Sequence, residues 1–354
     1  MSLSIKFNEA RLGGMALAKV GNPLRDEPLQ TSRTLCHFEE DEAELLTHCF
    51  LKSFKSLELH HLHHHTEIDS NEVFGYVSAV FESNDALLDA GQKIARHLHA
   101  KSNRPNIKSG DLCVSLINDV IVGGQKVQAI SIIKSESQVP FLQISEEDGD
   151  LRLKTQHGIY PDKIDKGCLI LNYDREGGYA VYLFDKSGNN PMFWNRDFLG
   201  ALPVRNDDFL TKRYSELCVA FAGKGLPEDV AVEERRDVAD RAISYLADAD
   251  SFDLEEFQSV ALKEPERIEQ FNTFKSEYEE EAGQELKSTF TVSKPEAKKA
   301  QKRLRGKMKL DTGVDLKFTT RFVDQAHTLL ERGFDDKKKM KFLKIYFHNE
   351  EDVL

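Results

Sequence analysis

Between Asn71 and Glu136 the apolar period of the chain changes from that of a helix to that of a strand. Val73, Tyr76, Val77, Val80 and Phe81 recur at the spacing of one helical face. A second helix is predicted from about Asn84 to Lys101, with Leu87, Leu88, Ile94 and Leu98 on its apolar side. Asn103 to Asn106 ends it, because Pro105 cannot continue a helix and pushes its predecessor toward extended backbone. Two strands follow, joined at Gly123-Gly124, a pair suited to a tight turn with positive φ. Further strands are expected at Phe141–Ile144, Leu151–Lys154, Cys168–Tyr173 and Tyr179–Asp185. Successive strands with short turns imply an antiparallel sheet carrying packed helices, not a Rossmann alternation.

The outer segments extend this α+β reading. Residues 1–35 read as short strands and loops, and Asp41–Ser56 as a helix with Leu45, Leu46, Cys49, Phe50 and Phe54 apolar. Helices are expected at Asp207–Phe221, Asp229–Asp248, Leu254–Leu262 and Pro265–Ala282. Gly223–Pro227 clusters glycine and proline and marks a domain boundary, giving 1–225 and 226–354. The first is an antiparallel sheet with packed helices; the second is a smaller mixed α/β domain with an acidic helical part and a basic part. In the second, Phe290 and Val292 read as a strand, and Pro295 as the first turn of a helix that Ser293 caps. Lys307–Leu310, Val314–Phe318 and Phe342–Phe347 read as strands.

Charge is distributed unevenly. The net charge is −12. Glu228–Glu285 alone holds 19 acidic and 6 basic residues, so the rest of the chain is nearly neutral. Within that remainder, Lys294–Lys309 carries 8 basic residues against Glu296. An acidic total therefore does not exclude a local phosphate-binding face. On a helix, Lys298, Lys302 and Arg305 fall at i, i+4 and i+7, Lys299 and Arg303 widen the same side, and Lys307 and Lys309 continue into a strand. Such a surface neutralises phosphates without reading bases. Lys337, Lys338, Lys339, Lys341 and Lys344 form a second basic run, which reads as protection of a strand edge.

Other chemistries find little purchase. There is no run of eighteen apolar residues and no secretory signal at the N-terminus, so no membrane association is expected. Cys36, Cys49, Cys113, Cys168 and Cys218 form no C-x-x-C pair and read as reduced, buried thiols. Five histidines between His60 and His65 invite a metal, but one local segment points them in several directions; no metal or other cofactor is assigned. Asp315-Leu316-Lys317, with Asp311 upstream, fits the carboxylate-x-Lys fragment of metal-dependent nucleases, and reads better as a strand with solvated charges. Phosphate-loop and nucleophile-elbow spacings are missing, so no enzyme is expected.

One group of residues carries a resemblance: Asn71-Glu72-Val73, Ile94-Ala95, His97-Leu98, Ile107-Lys108 before Gly110-Asp111, and Ile133-Lys134-Ser135-Glu136. With a looser match through Gly167–Leu171, Phe193-Trp194 and Phe198-Leu199-Gly200, and through the charged strands after Phe290, the chain resembles the bacterial nucleoid-associated family of the NdpA/YejK type. The resemblance implies a cytoplasmic, nucleoid-localised protein that binds double-stranded DNA and brings no catalytic motif. The expected contacts are Lys298, Lys299, Lys302, Arg303, Arg305, Lys307 and Lys309. Two other readings stand beside it: an interaction protein that recruits a partner through its acidic helices, and a metal-dependent nuclease. Oligomeric state is open, with a homodimer among the options.

Overall fold

The computed structural model describes residues 3–54, 57–147, 149–160, 163–187, 192–282, 285–319, 321–322 and 325–349. The chain divides into two compact units, the first ending at Val204 and the second beginning at Arg205.

The first unit is built on an antiparallel sheet. Its strands are β1 (Ile5–Lys6), β2 (Arg11–Val20), β3 (Leu29–Thr31), β4 (Leu59–Leu62), β5 (Gly110–Val122) and β6 (Gln125–Ser135). There follow β7 (Gln138–Glu147), β8 (Asp150–Ile159), β9 (Lys166–Leu171), β10 (Ala180–Asp185) and β11 (Ala201–Pro203). Sheet order is β11-β4-β10-β9-β6-β5-β2-β3, with β1 also beside β5, while β7 and β8 pair only with each other. Helices α2 (Glu72–Glu82) and α3 (Leu87–Lys101) cover one face. Val73, Val77, Val80, Ile94 and Leu98 pack there against Val114, Leu116, Ile130, Ile132, Ile170 and Val181. Helix α1 (Glu40–Leu51) covers the other, where Phe50, Leu51 and Phe54 meet Ile117, Ile133, Leu169, Leu171 and Tyr182. Central strands buried on both faces explain the continuous apolar run of Cys168–Leu171.

Predicted and observed elements agree closely for α2, α3 and the β5–β6 hairpin, whereas strands β4 and β11 were not expected. The stripe at Val73, Val77 and Val80 is buried, with Tyr76 and Phe81 at its margin. Gly123 and Gly124 take φ of 57° and 89°, the turn geometry their pairing requires. The expected Asp41–Ser56 helix ends at Leu51, passing into a short 3₁₀ turn over Lys52–Phe54; Lys55 and Ser56 lie outside the described residues.

The second unit holds α4 (Asp207–Ala220), α5 (Val232–Asp248), α6 (Leu254–Phe257), α7 (Pro265–Ala282) and α8 (Lys294–Arg305). Its strands are β12 (Ser251–Asp253), β13 (Thr289–Thr291), β14 (Lys307–Lys309), β15 (Asp315–Lys317), β16 (Leu330–Asp335) and β17 (Met340–Ile345). They pair two by two into hairpins or ribbons, β12 with β13, β14 with β15 and β16 with β17. The core is aromatic: Tyr214, Phe221, Phe252, Phe257 and Phe271 pack together. The boundary therefore falls some twenty residues before the expected Gly223–Pro227. Phe209, Leu210, Tyr214 and Leu217 of α4 belong to this core, and so does Leu226 inside the Gly/Pro-rich segment. That segment lies within one unit, where α4 runs on as a π-helix over Phe221–Gly225 before the chain breaks at Leu226-Pro227; glycine and proline mark breaks of either kind, and only the contacts of α4 distinguish them.

Candidate nucleic-acid interface

Helix α8 begins as its sequence suggests, with Ser293 at the N-cap position and proline in the first turn. The cap differs in chemistry. The Ser293 side chain makes no capping bond, and its backbone N–H donates to Thr211 Oγ1 at 2.9 Å. Lys294, the first cation of the basic run, is structural. Its ammonium donates to the carbonyls of Ala247, Asp248 and Ala249 at 3.2, 2.9 and 2.7 Å, satisfying the C-terminal end of α5.

Ala297, Ala300 and Leu304 turn toward the aromatic core. Lys298, Lys299, Lys302 and Arg303 are consequently exposed on the opposite face. Lys299 pairs with Glu296 at 2.6 Å, an i, i+3 contact at the surface. Lys298, Lys302 and Arg303 have no ion-pair partner among the described residues. Arg305 behaves differently from its neighbours. Its Nε and Nη2 donate to the two carboxylate oxygens of Asp240 at 2.6 and 2.8 Å, and Nη2 also reaches Ser244 Oγ at 2.9 Å. The hydrogen bonds to Asp240 raise the guanidinium pKa further. Arg305 thus ties α8 to α5 and is withdrawn from the free cationic face.

Past Gly306 the positive surface continues on the β14–β15 hairpin. Met308 is buried and pairs with Leu316 on the inner face. Alternation leaves Lys307 outward opposite Lys317, and the register sets Lys309 across from Asp315. The Lys309 side chain lies outside the described residues. Lys307 and Lys317 are exposed and directly opposed, a like-charge pair that costs stability in a hairpin. Lys317 was not among the expected contacts. The local Asp-Leu-Lys pattern reveals an outward lysine, but its position beside Lys307 depends on the strand register.

The second basic run divides as well. Lys344 pairs with Glu331 at 3.0 Å and Lys341 with Glu233, while Lys337, Lys338 and Lys339 are exposed at the turn. The acidic Glu279 is occupied locally, accepting from Lys275 at 2.7 Å and from the Leu286 N–H at 2.6 Å. It does not serve as the counter-charge of α8; among the described residues Asp240 pairs with Arg305 at 2.6 Å and Asp250 with Lys294 at 3.1 Å.

The other candidate chemistries find no converging geometry. Among the described residues, no three of His, Cys, Asp and Glu gather as a metal site. His60 is buried with its Nδ1 at 3.0 Å from the Glu58 carbonyl, and Asp315 lies on the exposed face of its hairpin. Burial pushes the Cys113 thiol up to about 12 and raises Cys168 and Cys218 as well, which suppresses the reactive thiolate. None of the described helices is long and apolar enough to cross a membrane.

The geometry defines a class: a two-unit α+β protein whose distinctive surface is an unpaired cationic helix face continued by a basic hairpin. The family model for nucleoid-associated protein YejK matches residues 19–340, and the chain belongs to that family. No individual curated protein matches it.

Proposed function

We propose that this protein binds double-stranded DNA without catalysis, through phosphate contacts from Lys298, Lys302, Arg303 and Lys307, assisted by Lys299, Lys309 and Lys317. The observation that carries this reading is the concentration of exposed cations without internal partners on one continuous stretch of structure. Like-charge crowding destabilises an isolated helix or hairpin, so an external anion is the simplest account of it. Family membership supports residence in the nucleoid, within the cytoplasm. Binding is expected to be weakly sequence-dependent, because the face offers point charges and no array of base-reading side chains.

Charge reversal tests the assignment. Lys298→Glu, Lys302→Glu, Arg303→Glu and Lys307→Glu together should weaken duplex binding at least tenfold and change stability by no more than about 2 kcal/mol, since exposed substitutions shift stability by only about 0.5 kcal/mol each. If the four contacts form, log affinity should fall against log salt with a slope of roughly −3 to −4. Tight binding that is flat with salt, or untouched by the four reversals, would reject this face. In that case, loss of binding to a protein partner on neutralising Glu280 and Glu281 would favour recruitment through the acidic helices. Cleavage of plasmid with magnesium or manganese that disappears in Asp315→Ala would instead establish a nuclease.

A further inference from the structure

Glu233, Arg236, Asp240 and Ser244 recur at three- and four-residue spacing along α5, so they share one line of its surface. All but Arg236 are engaged. Glu233 accepts from Lys341, and Asp240 and Ser244 both accept from Arg305. Arg236 stands between them, half-buried, with no hydrogen bond or ion pair among the described residues.

The β16–β17 ribbon brings a second guanidinium to this place. Lys341 reaches Glu233 from the ribbon face that also carries Arg332, Phe334 and Leu343, as register and alternation require. Arg236 lies one turn beyond Glu233, and the charge of Arg332 acts on it there. Burial first, and Arg332 second, lower the Arg236 pKa against the pull of Asp240 and Asp237. Two neighbouring guanidiniums, one of them partly desolvated, are costly unless an anion joins them. The surrounding carboxylates are committed elsewhere: Glu233 to Lys341, Glu234 to Arg267, Asp240 to Arg305 and Glu331 to Lys344. Asp237 is exposed and forms no ion pair among the described residues.

We infer that Arg236 and Arg332 together form a phosphate site, which takes a backbone phosphate of the duplex held by α8. This rests on the DNA-binding reading above and adds to it a contact of different chemistry. A guanidinium offers a planar fork that matches phosphate oxygens, whereas the lysines of α8 act as point charges. Position links the two surfaces. Arg305, at the end of α8, is clamped to Asp240 and Ser244, the next residues on the α5 line after Arg236. The pair therefore lies where the cationic face of α8 ends.

Salt titration of duplex DNA and thermal melting of the full chain test the site together. Arg236→Gln with Arg332→Gln should weaken duplex binding about tenfold and reduce the slope of log affinity against log salt by about 1. A purely structural pair would lose stability on substitution. Here the melting temperature without added anion should hold or rise, because a like-charge contact is removed. Inorganic phosphate, compared with chloride at equal ionic strength, should raise the melting temperature of the wild type but not of the double glutamine variant. The protein carrying the four charge reversals at Lys298, Lys302, Arg303 and Lys307 should keep that phosphate response. Arg332 is exposed, so Arg332→Gln alone carries the test should Arg236→Gln unfold the protein. Duplex binding that falls with the four reversals and ignores the glutamine variants overturns the inference and leaves the α8 assignment standing. Duplex binding that ignores the reversals and falls with the glutamines supports the arginine site and rejects the α8 face. Equal phosphate stabilisation of wild type and double variant overturns the site. A phosphate response lost in the double variant without any change in duplex binding overturns its assignment to DNA and makes it a site for free phosphate.

Discussion

Lys134 is the most constrained charge in the molecule. It is wholly buried, donates to the Lys108 carbonyl at 2.6 Å and to Glu136 at 2.9 Å, and burial lowers its pKa against the opposing pull of Glu136. Lys166 completes the group, donating to Asp185 at 2.8 Å. The Lys134-Ser135-Glu136 motif is thus a structural root for the β7–β8 arm. Removing Lys134 leaves the buried Glu136 with only the more distant Lys166 at 3.5 Å, so Lys134→Met should cost about 3 kcal/mol, seen as a lower urea midpoint at constant slope. His97 yields a pH dependence. Its Nε2–H donates to the Phe198 carbonyl at 3.0 Å, and burial is the main cause of its lowered pKa, with Glu72 and the Phe198 bond pulling upward. A histidine depressed in the folded state takes up its proton more readily when unfolded. Its stability contribution is therefore complete above pH 6.5 and declines as pH falls through the folded value. Melting followed from pH 7.5 to 5.5 should drop less steeply in His97→Gln than in the wild type.

At the scale of elements, Asn71 joins three segments. Its Oδ1 caps α2 by accepting the Phe74 N–H at 2.9 Å, and its Nδ2 donates to the carbonyls of His63 and Leu199, each at 3.0 Å. Asn71→Ala removes a cap worth about 1 kcal/mol and strands two carbonyls, for a total near 2–3 kcal/mol by thermal or urea denaturation. Asn71→Asp keeps the cap and loses both donors, which separates the two terms. The elements themselves were largely readable. Helices α2 and α3, the Gly123-Gly124 turn and the span of α7 follow from period and punctuation alone. The clamp of Arg305 on Asp240 was not readable, because the two residues are 65 apart and their encounter depends on how α8 crosses α5. Arg305→Ala should lower the melting temperature while sparing duplex binding, the reverse of the pattern expected for Lys302→Glu; with both partners partly exposed, the loss is about 1 kcal/mol.

For the whole molecule, the position of the boundary has a direct consequence. The core residues on both faces of the sheet all precede Arg205, whereas Phe209, Leu210, Tyr214, Leu217 and Phe221 belong to the second core. A fragment ending at Val204 should melt cooperatively and stay in solution. One ending at Gly225 should carry an unsatisfied apolar α4 and aggregate on heating, as light scattering would detect. Sequence by itself determined the antiparallel α+β class, the run of helices and strands, and the existence of a basic segment within an acidic chain. Each is a property of neighbouring residues, whose period and punctuation report which side of an element must be dry. Tertiary structure alone decided that β4 lies between β10 and β11, that α4 joins the second unit, and which cations of α8 are free. These depend on pairings between residues far apart in the chain, and an exposed lysine and a clamped arginine differ only in what the fold brings beside them.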